Sequence, residues 1–175
     1  MVLVGDTTVG KTCLITSYHH QSFTEAYEPS VLDIFKGLKQ FDKKQIRLEI
    51  HDTSGDEHLS ANRQISYNKT DCFMLCVSLN QRDRLENLEK WVNEIRTVCS
   101  DSPIILVGTK FDLRDENSSD NQSVSTILLK QKSKSLGCQA VCETSSKEYH
   151  NHNVSKAFQT AIRTGFYYKY PQELD

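Results

Sequence analysis

The sequence predicts an α/β fold in three layers, a mostly parallel six-stranded sheet with helices on both faces. Three observations carry that reading. Apolar runs alternate along the chain with segments of helical spacing, the order of strand–helix–strand units. Two runs, Asp71–Leu79 and Pro103–Gly108, are dense in apolar residues, as strands covered on both faces are. The first run, Met1–Val4, ends at Gly5, and a helical pattern opens at Lys11. Short connections and right-handed crossovers then put the binding loops along one edge, at the carboxyl ends of the strands.

In chain order, Met1–Val4 is a short strand and Lys11–His20 a helix. Asp33–Phe41 and Gln45–Asp52 are two strands around Asp42-Lys43-Lys44. In the second, Ile46, Leu48 and Ile50 alternate with Arg47 and Glu49, a pattern that buries one face. Asp71–Leu79 is the fourth strand. Over Arg82–Cys99, Leu85, Leu88, Trp91, Val92, Ile95 and Val98 recur at helical spacing. Pro103–Gly108 is the fifth strand, Ser123–Leu136 a weaker helical pattern and Gln139–Glu143 the last strand. Asn153–Tyr168 closes the chain as a helix with Val154, Ala157, Phe158, Ala161 and Ile162 on one face. Arg114–Gln122 is polar and reads as an exposed loop.

A length of 175 residues suits one domain, 1–175, large enough to be stable without disulfides or a structural metal. The net charge of −2 gives no basic field for nucleic acid. No apolar run approaches the roughly 18–20 residues that span a membrane, and no signal peptide is visible, the sequence going straight into Val2-Leu3-Val4. The six cysteines form no Cys-x-x-Cys pair. Cys72/Cys76 and Cys138/Cys142 sit four apart in strand-like stretches, so each pair is expected on one face as buried free thiols. The histidines show no ligand spacing; His19, His20, His150 and His152 lie in polar surroundings and read as surface residues.

The chemistry begins at Gly5-Asp6-Thr7-Thr8-Val9-Gly10-Lys11-Thr12. It fits G-x-x-x-x-G-K-[ST] and runs from a strand into a helix, the setting of a P-loop NTPase-type fold. Glycines let backbone N–H groups turn inward around phosphates, and the helix N-terminus adds partial positive charge. Lys11 sets an ammonium on the terminal phosphates and the Thr12 hydroxyl ligates Mg²⁺.

Three later segments bear on the nucleotide. Asp52-Thr53-Ser54-Gly55 follows a strand; the Asp52 carboxylate can hold Mg²⁺ through water, and Gly55 can offer its N–H to a γ-phosphate. Thr109-Lys110-Phe111-Asp112 follows the fifth strand. The Asp112 carboxylate can accept from the ring N–H and exocyclic amine of guanine, a pair adenine lacks, and the Lys110 stem can lie over the base. Thr144-Ser145-Ser146-Lys147 follows the last strand, and its N–H groups can reach the guanine carbonyl.

The order and spacing of these segments resemble a Ras-superfamily small GTPase. Thr109 in place of the commoner asparagine resembles the Rho family, as do Lys90-Trp91-x-x-Glu94-Ile95 and Pro103–Lys110. The resemblance covers residues 1 to about 168. It implies GTP or GDP with Mg²⁺ as ligands, and nucleotide contacts from Asp6 through Cys13 (Thr7, Thr8, Val9, Gly10, Lys11 and Thr12 among them). It further implies Gly55, Thr109, Lys110, Asp112, Ser145, Ser146 and Lys147. Phe23 resembles the aromatic that packs against guanine, Tyr27 the first-switch tyrosine, and Ser30 the switch residue that joins Thr12 and Asp52 on Mg²⁺. Effector proteins would dock on Tyr27–Phe35 and Ser54–Tyr67, and an exchange factor is a further implied partner.

Three departures stand out. Thr7 occupies the place of a glycine, Ser54 of an alanine, and Asp56 of the glutamine that orients the attacking water. An ionised Asp56 cannot donate a hydrogen bond and sets a negative charge beside an anionic group. Loss of one oriented donor costs about 10²–10³ in rate. The Thr7 side chain crowds the entry of a partner's arginine finger, worth about 10³–10⁵. These substitutions resemble the Rnd subgroup of the Rho family and imply a protein that stays GTP-bound. Ser30 keeps the hydroxyl but lacks a methyl, so a looser first switch is expected. The stretch from Asp112 to Glu143 is shorter than the Rho pattern, so a trimmed insert is expected around Ser118–Gln122.

The chain ends Pro171-Gln172-Glu173-Leu174-Asp175 with no C-a-a-X box and no basic run. Either a tail is missing or the protein is not prenylated; a cytoplasmic monomer is expected, peripheral at the inner face of the plasma membrane if a lipidated tail is missing. The start inside the first strand also suggests trimming. Two alternatives stay open at this stage: an ordinary cycling GTPase, and a nucleotide-free module that keeps the fold for interactions.

Overall fold

The structure, a computed structural model, describes residues 1–22, 34–115, 122–147 and 153–174. Phe23, Tyr27, Ser30 and the first-switch residues through Asp33 lie outside the described residues, as do Ser118–Asn121, His150 and His152.

Six strands form one sheet: β1 (Val2–Val4), β2 (Ile34–Phe41), β3 (Lys44–Asp52), β4 (Phe73–Ser78), β5 (Ile104–Thr109) and β6 (Ala140–Glu143). Their order is β2-β3-β1-β4-β5-β6. All neighbours are parallel except β2 and β3, which pair antiparallel from Ile34↔His51 to Phe41↔Lys44. Asp42 and Lys43 close that hairpin, both at positive φ, the requirement of a two-residue turn whose twist matches its strands.

The helices are α1 (Lys11–Ser22), α2 (Ser60–Tyr67), α3 (Asn87–Val98), α4 (Thr126–Ser135) and α5 (Val154–Lys169). None among the described residues is long and apolar enough to cross a membrane. Ser125 caps α4 by accepting from the Leu128 N–H, which satisfies a donor the helix start leaves open.

Alternation along the strands sends side chains to two cores. On one face Leu3, Ile50, Met74, Cys76, Ile105 and Val107 meet α1 and α5. There Tyr18 stacks on Phe158 at 4.0 Å between ring centroids. On the other face Val2, Val4, Phe73, Leu75 and Leu106 meet Leu88, Trp91 and Ile95 of α3, Tyr67 of α2 and Leu129 of α4. β4 and β5 are buried at every position, as their unbroken apolar runs require. The expected layers and strands are therefore present.

Several details differ from the sequence reading. The Arg82–Cys99 pattern splits into a 3-10 turn at Arg82–Leu85 and α3, and Val98 at the helix end is exposed rather than buried. Cys72 and Cys76 do share one core. Cys138 and Cys142 do not: β6 begins only at Ala140, so Cys138 lies in the preceding turn against the α3 side while Cys142 faces the α5 side. α2 falls in a stretch to which the hydrophobic pattern assigns no helix.

Replacing Phe158, fully buried, by alanine removes the stacked ring and leaves a cavity. Such truncations cost about 3–5 kcal/mol, and a urea titration of the F158A protein is expected to show a loss of that size.

Candidate functional site

β1 is the point from which the chain winds to both sides of the sheet, with β3 on one flank and β4 on the other. Ligands of open α/β sheets bind at the carboxyl end of such a switch point. The loop Gly5–Gly10 leaves β1 there and enters α1. Gly5 has φ +143°, and a Cβ on it would stand 2.3 Å from the Cys76 carbonyl oxygen. Only glycine lets the loop turn so close against β4.

Lys11, the first residue of α1, is 7% exposed. Its Nζ donates to the carbonyl oxygens of Gly5 and Asp6 at 2.8 and 2.9 Å. These two bonds hold the side chain along the loop. Burial lowers the Lys11 pKa, opposed by nearby anionic groups including Asp52 and Asp6. The Thr12 hydroxyl donates to Asp52 Oδ2 at the end of β3. Thr7, Thr8 and Cys13 are exposed, while Val9 is buried in the core.

The segment after β3 is pressed onto this loop. Thr53 is buried and donates to the Leu3 carbonyl at 2.6 Å. A Cβ on Gly55 would stand 2.2 Å from the Thr7 nitrogen and 2.3 Å from the Asp6 carbonyl carbon. Asp56, an exposed residue, caps a 3-10 turn at Glu57–Leu59; its Oδ1 accepts from the His58 N–H at 2.9 Å.

Arg63 of α2 holds the same segment from below. Its side chain is 3% exposed. Nη1 donates to the carbonyls of Ser54 and Asp56. Nε and Nη2 form a two-pronged pair with Glu94 of α3, both at 2.8 Å, and Tyr67 donates to Glu94 Oε1 at 2.7 Å.

The base end of the site is assembled from β5 and β6. Thr109 is buried; its hydroxyl donates to the Val9 carbonyl in the phosphate loop, with the Val77 carbonyl of β4 also within 3.1 Å. Lys110 adopts the left-handed region at φ 56°, and its Cε lies 3.9 Å from where a Cβ on Gly10 would stand. Asp112 Oδ1 accepts from the buried Ser145 hydroxyl at 2.6 Å, and Lys147 Nζ lies 3.4 Å from Oδ2. Burial alone would raise the Asp112 pKa. The bonds from Ser145 and the backbone, with Lys147, outweigh burial and hold it below the ordinary aspartate value, so the group is an ionised acceptor. Ser145 Oγ also accepts from the Lys147 N–H at 3.3 Å, and Ser146 is half-buried beside it.

Residues 1–166 match the sequence profile of the Ras family. Ras-like GTP-binding protein RhoL of Drosophila melanogaster is 37% identical over 164 residues, covering 93% of this chain and 84% of that protein. GTP-binding protein RHO1 of Candida albicans is 33% identical over 181 aligned positions, covering 99% of this chain and 90% of that protein. The chain belongs to the Ras family, in its Rho type.

In this Rho-type chain the phosphate-loop, Asp-x-x-Gly and Thr-Lys-x-Asp residues converge at one end of the sheet. Two features of that site carry no ligand signature in the sequence. One is the Arg63–Glu94–Tyr67 cluster, whose partners are 27 and 31 residues apart. The other is the fate of Asp6. Its carboxylate accepts from Trp91 Nε1 at 2.7 Å, Asn87 Nδ2 at 2.6 Å and Arg84 Nη1 at 3.4 Å, so this side chain is bound to α3 and the turn before it. The motif Lys90-Trp91-x-x-Glu94 held the signal for both, since Trp91 and Glu94 lie one helical turn apart.

Glu94 gives the site a pH dependence. Burial raises its pKa, but the bonds from Arg63 and Tyr67 win, and the net shift is downward from 4.5. The stabilisation is therefore complete above about pH 4.5 and lost as the pH falls below that value. Glu94→Gln is expected to cost about 3 kcal/mol at pH 7, because it leaves a buried guanidinium without its counter-charge. It should also flatten the acid limb of a stability-against-pH profile measured by denaturant unfolding.

Proposed function

We propose that this chain is a guanine-nucleotide switch that holds GTP with Mg²⁺, hydrolyses it slowly and recruits effector proteins while GTP-bound. The guanine reading rests on Asp112, an ionised acceptor fixed by Ser145 and joined through Thr109 to the phosphate loop. Both relatives named above are GTP-binding proteins by name. The contact between the Thr12 hydroxyl and Asp52 gathers two hard oxygen donors at the loop, a set that suits Mg²⁺. Thr12 and Asp52 would hold that ion, with Ser30 joining them on the family pattern. Bound there, Mg²⁺ neutralises phosphate charge.

Slow hydrolysis is supported by what Asp56 does. Its carboxylate is occupied as the cap of the turn at Glu57–Leu59, and the segment's carbonyls are held by Arg63. An acceptor committed in this way neither donates to a water nor tolerates the charge building on a γ-phosphate. Thr7 is exposed on the loop where an arginine finger would approach. The recruiting surface would combine Tyr27–Phe35 with Ser54–Tyr67, where Leu59 and Ile65 already present apolar side chains to solvent.

Two measurements test this. In single-turnover assays the wild-type chain is expected to hydrolyse GTP slowly, and Asp56→Gln to raise the rate by on the order of 10². An unchanged rate in D56Q, or a wild-type rate typical of Rho-type proteins, would count against the proposal. Asp112→Ala is expected to weaken guanine binding by roughly 10-fold or more, from loss of a charged acceptor, and to abolish the preference over adenine in competition titrations.

A further inference from the structure

We propose that Trp91 is a positioning residue for nucleotide binding, which holds the phosphate loop through Asp6 and the Ser54–Asp56 segment through Arg63. The inference rests on the nucleotide-binding reading given above and concerns how the site is held together. A carboxylate in a phosphate loop is a liability, because an anion there repels anionic ligands. In this chain Asp6 is taken up by three donors: the Trp91 indole, the Asn87 amide and the Arg84 guanidinium. Trp91 is 3% exposed, and Nε1–H is its only donor. Without Asp6 that N–H would be buried and unpaired. The bond therefore fixes the loop to α3 at one point.

The other face of the contact is Arg63, whose guanidinium carbon lies 4.6 Å from the Trp91 ring centroid. A cation over an indole ring is attracted by its quadrupole, most strongly where water is excluded. Arg63 in turn holds the carbonyls of Ser54 and Asp56. One ring thus touches both a residue of the phosphate loop and the residue that carries the second segment. Because Arg63 reads backbone carbonyls, the clamp is indifferent to the side chains at 54 and 56. It survives the departures at those two positions, and it ties any shift of the loop at Asp6 to the segment beside it.

The full chain is loaded with radiolabelled GDP and release is followed after adding excess unlabelled GDP. Trp91→Phe keeps a ring under Arg63 but loses the N–H; release is expected to accelerate roughly 10-fold. Asp6→Ala removes the same bond together with those from Asn87 and Arg84, so its release is expected to be at least as fast as in W91F, and the double variant to be no faster than D6A, since the indole bond is already gone there. Asp6→Asn keeps an acceptor for the indole and is expected to restore slow release. A wild-type release rate in W91F, multiplying effects in the double variant, or a D6N as fast as D6A would each overturn the proposal. Backbone hydrogen exchange without added nucleotide supplies a second reading. Trp91→Leu should raise exchange at Gly5–Gly10 and at Ser54–Glu57 together, and a rise at one segment alone would also overturn it. A wild-type chain that retains no GDP would refute the proposed function, while the exchange result still decides the clamp.

Discussion

The structure depends on backbone packed against backbone at the phosphate loop. Gly5 leaves no room for a side chain against the Cys76 carbonyl, and Gly55 leaves none against Thr7 and Asp6. Three strands, β1, β3 and β4, are brought to one place by that contact. These close contacts are flanked by hydrogen bonds from buried hydroxyls: Thr53 onto β1 and Thr109 onto Val9. The site is thus a junction of main chains with side chains as pins, which gives a rigid frame for a ligand whose recognition relies on backbone N–H groups.

On that frame the charges are distributed unevenly. Lys11 is buried along the loop by two carbonyls, and Asp112 is kept ionised at the far end. Between them, the acidic groups that could oppose a phosphate are each engaged. Asp6 is bound by α3, Asp52 meets the Thr12 hydroxyl, and Asp56 caps a turn. The engagement of Asp56 follows from local chemistry: a short acidic side chain two residues before an open N–H folds back onto it more readily than it reaches outward.

Much of this was legible in the residues. β4 and β5 announce themselves as unbroken apolar runs, and the phosphate loop and Thr-Lys-x-Asp motif are contiguous, so their chemistry can be read locally. α2 was not legible. Its buried face is Arg63 and Tyr67, four residues apart and both bonded to Glu94, while its most apolar residue, Ile65, points outward. A hydrophobic pattern cannot reveal a helix whose core side is an ion pair. The Cys138–Cys142 expectation failed for a related reason: spacing fixes a common face only within one element, and Cys138 lies in the turn that follows Gly137, before β6 begins at Ala140.

The two thiols that do share a face have a consequence of their own. Burial pushes Cys72 and Cys76 up to about 12, so at neutral pH both stay as thiols, the unreactive form. An alkylating reagent finds them inert as long as the sheet stays shut. Their labelling rate therefore gauges how often β4 parts from its neighbours, a stopwatch already woven into the interior.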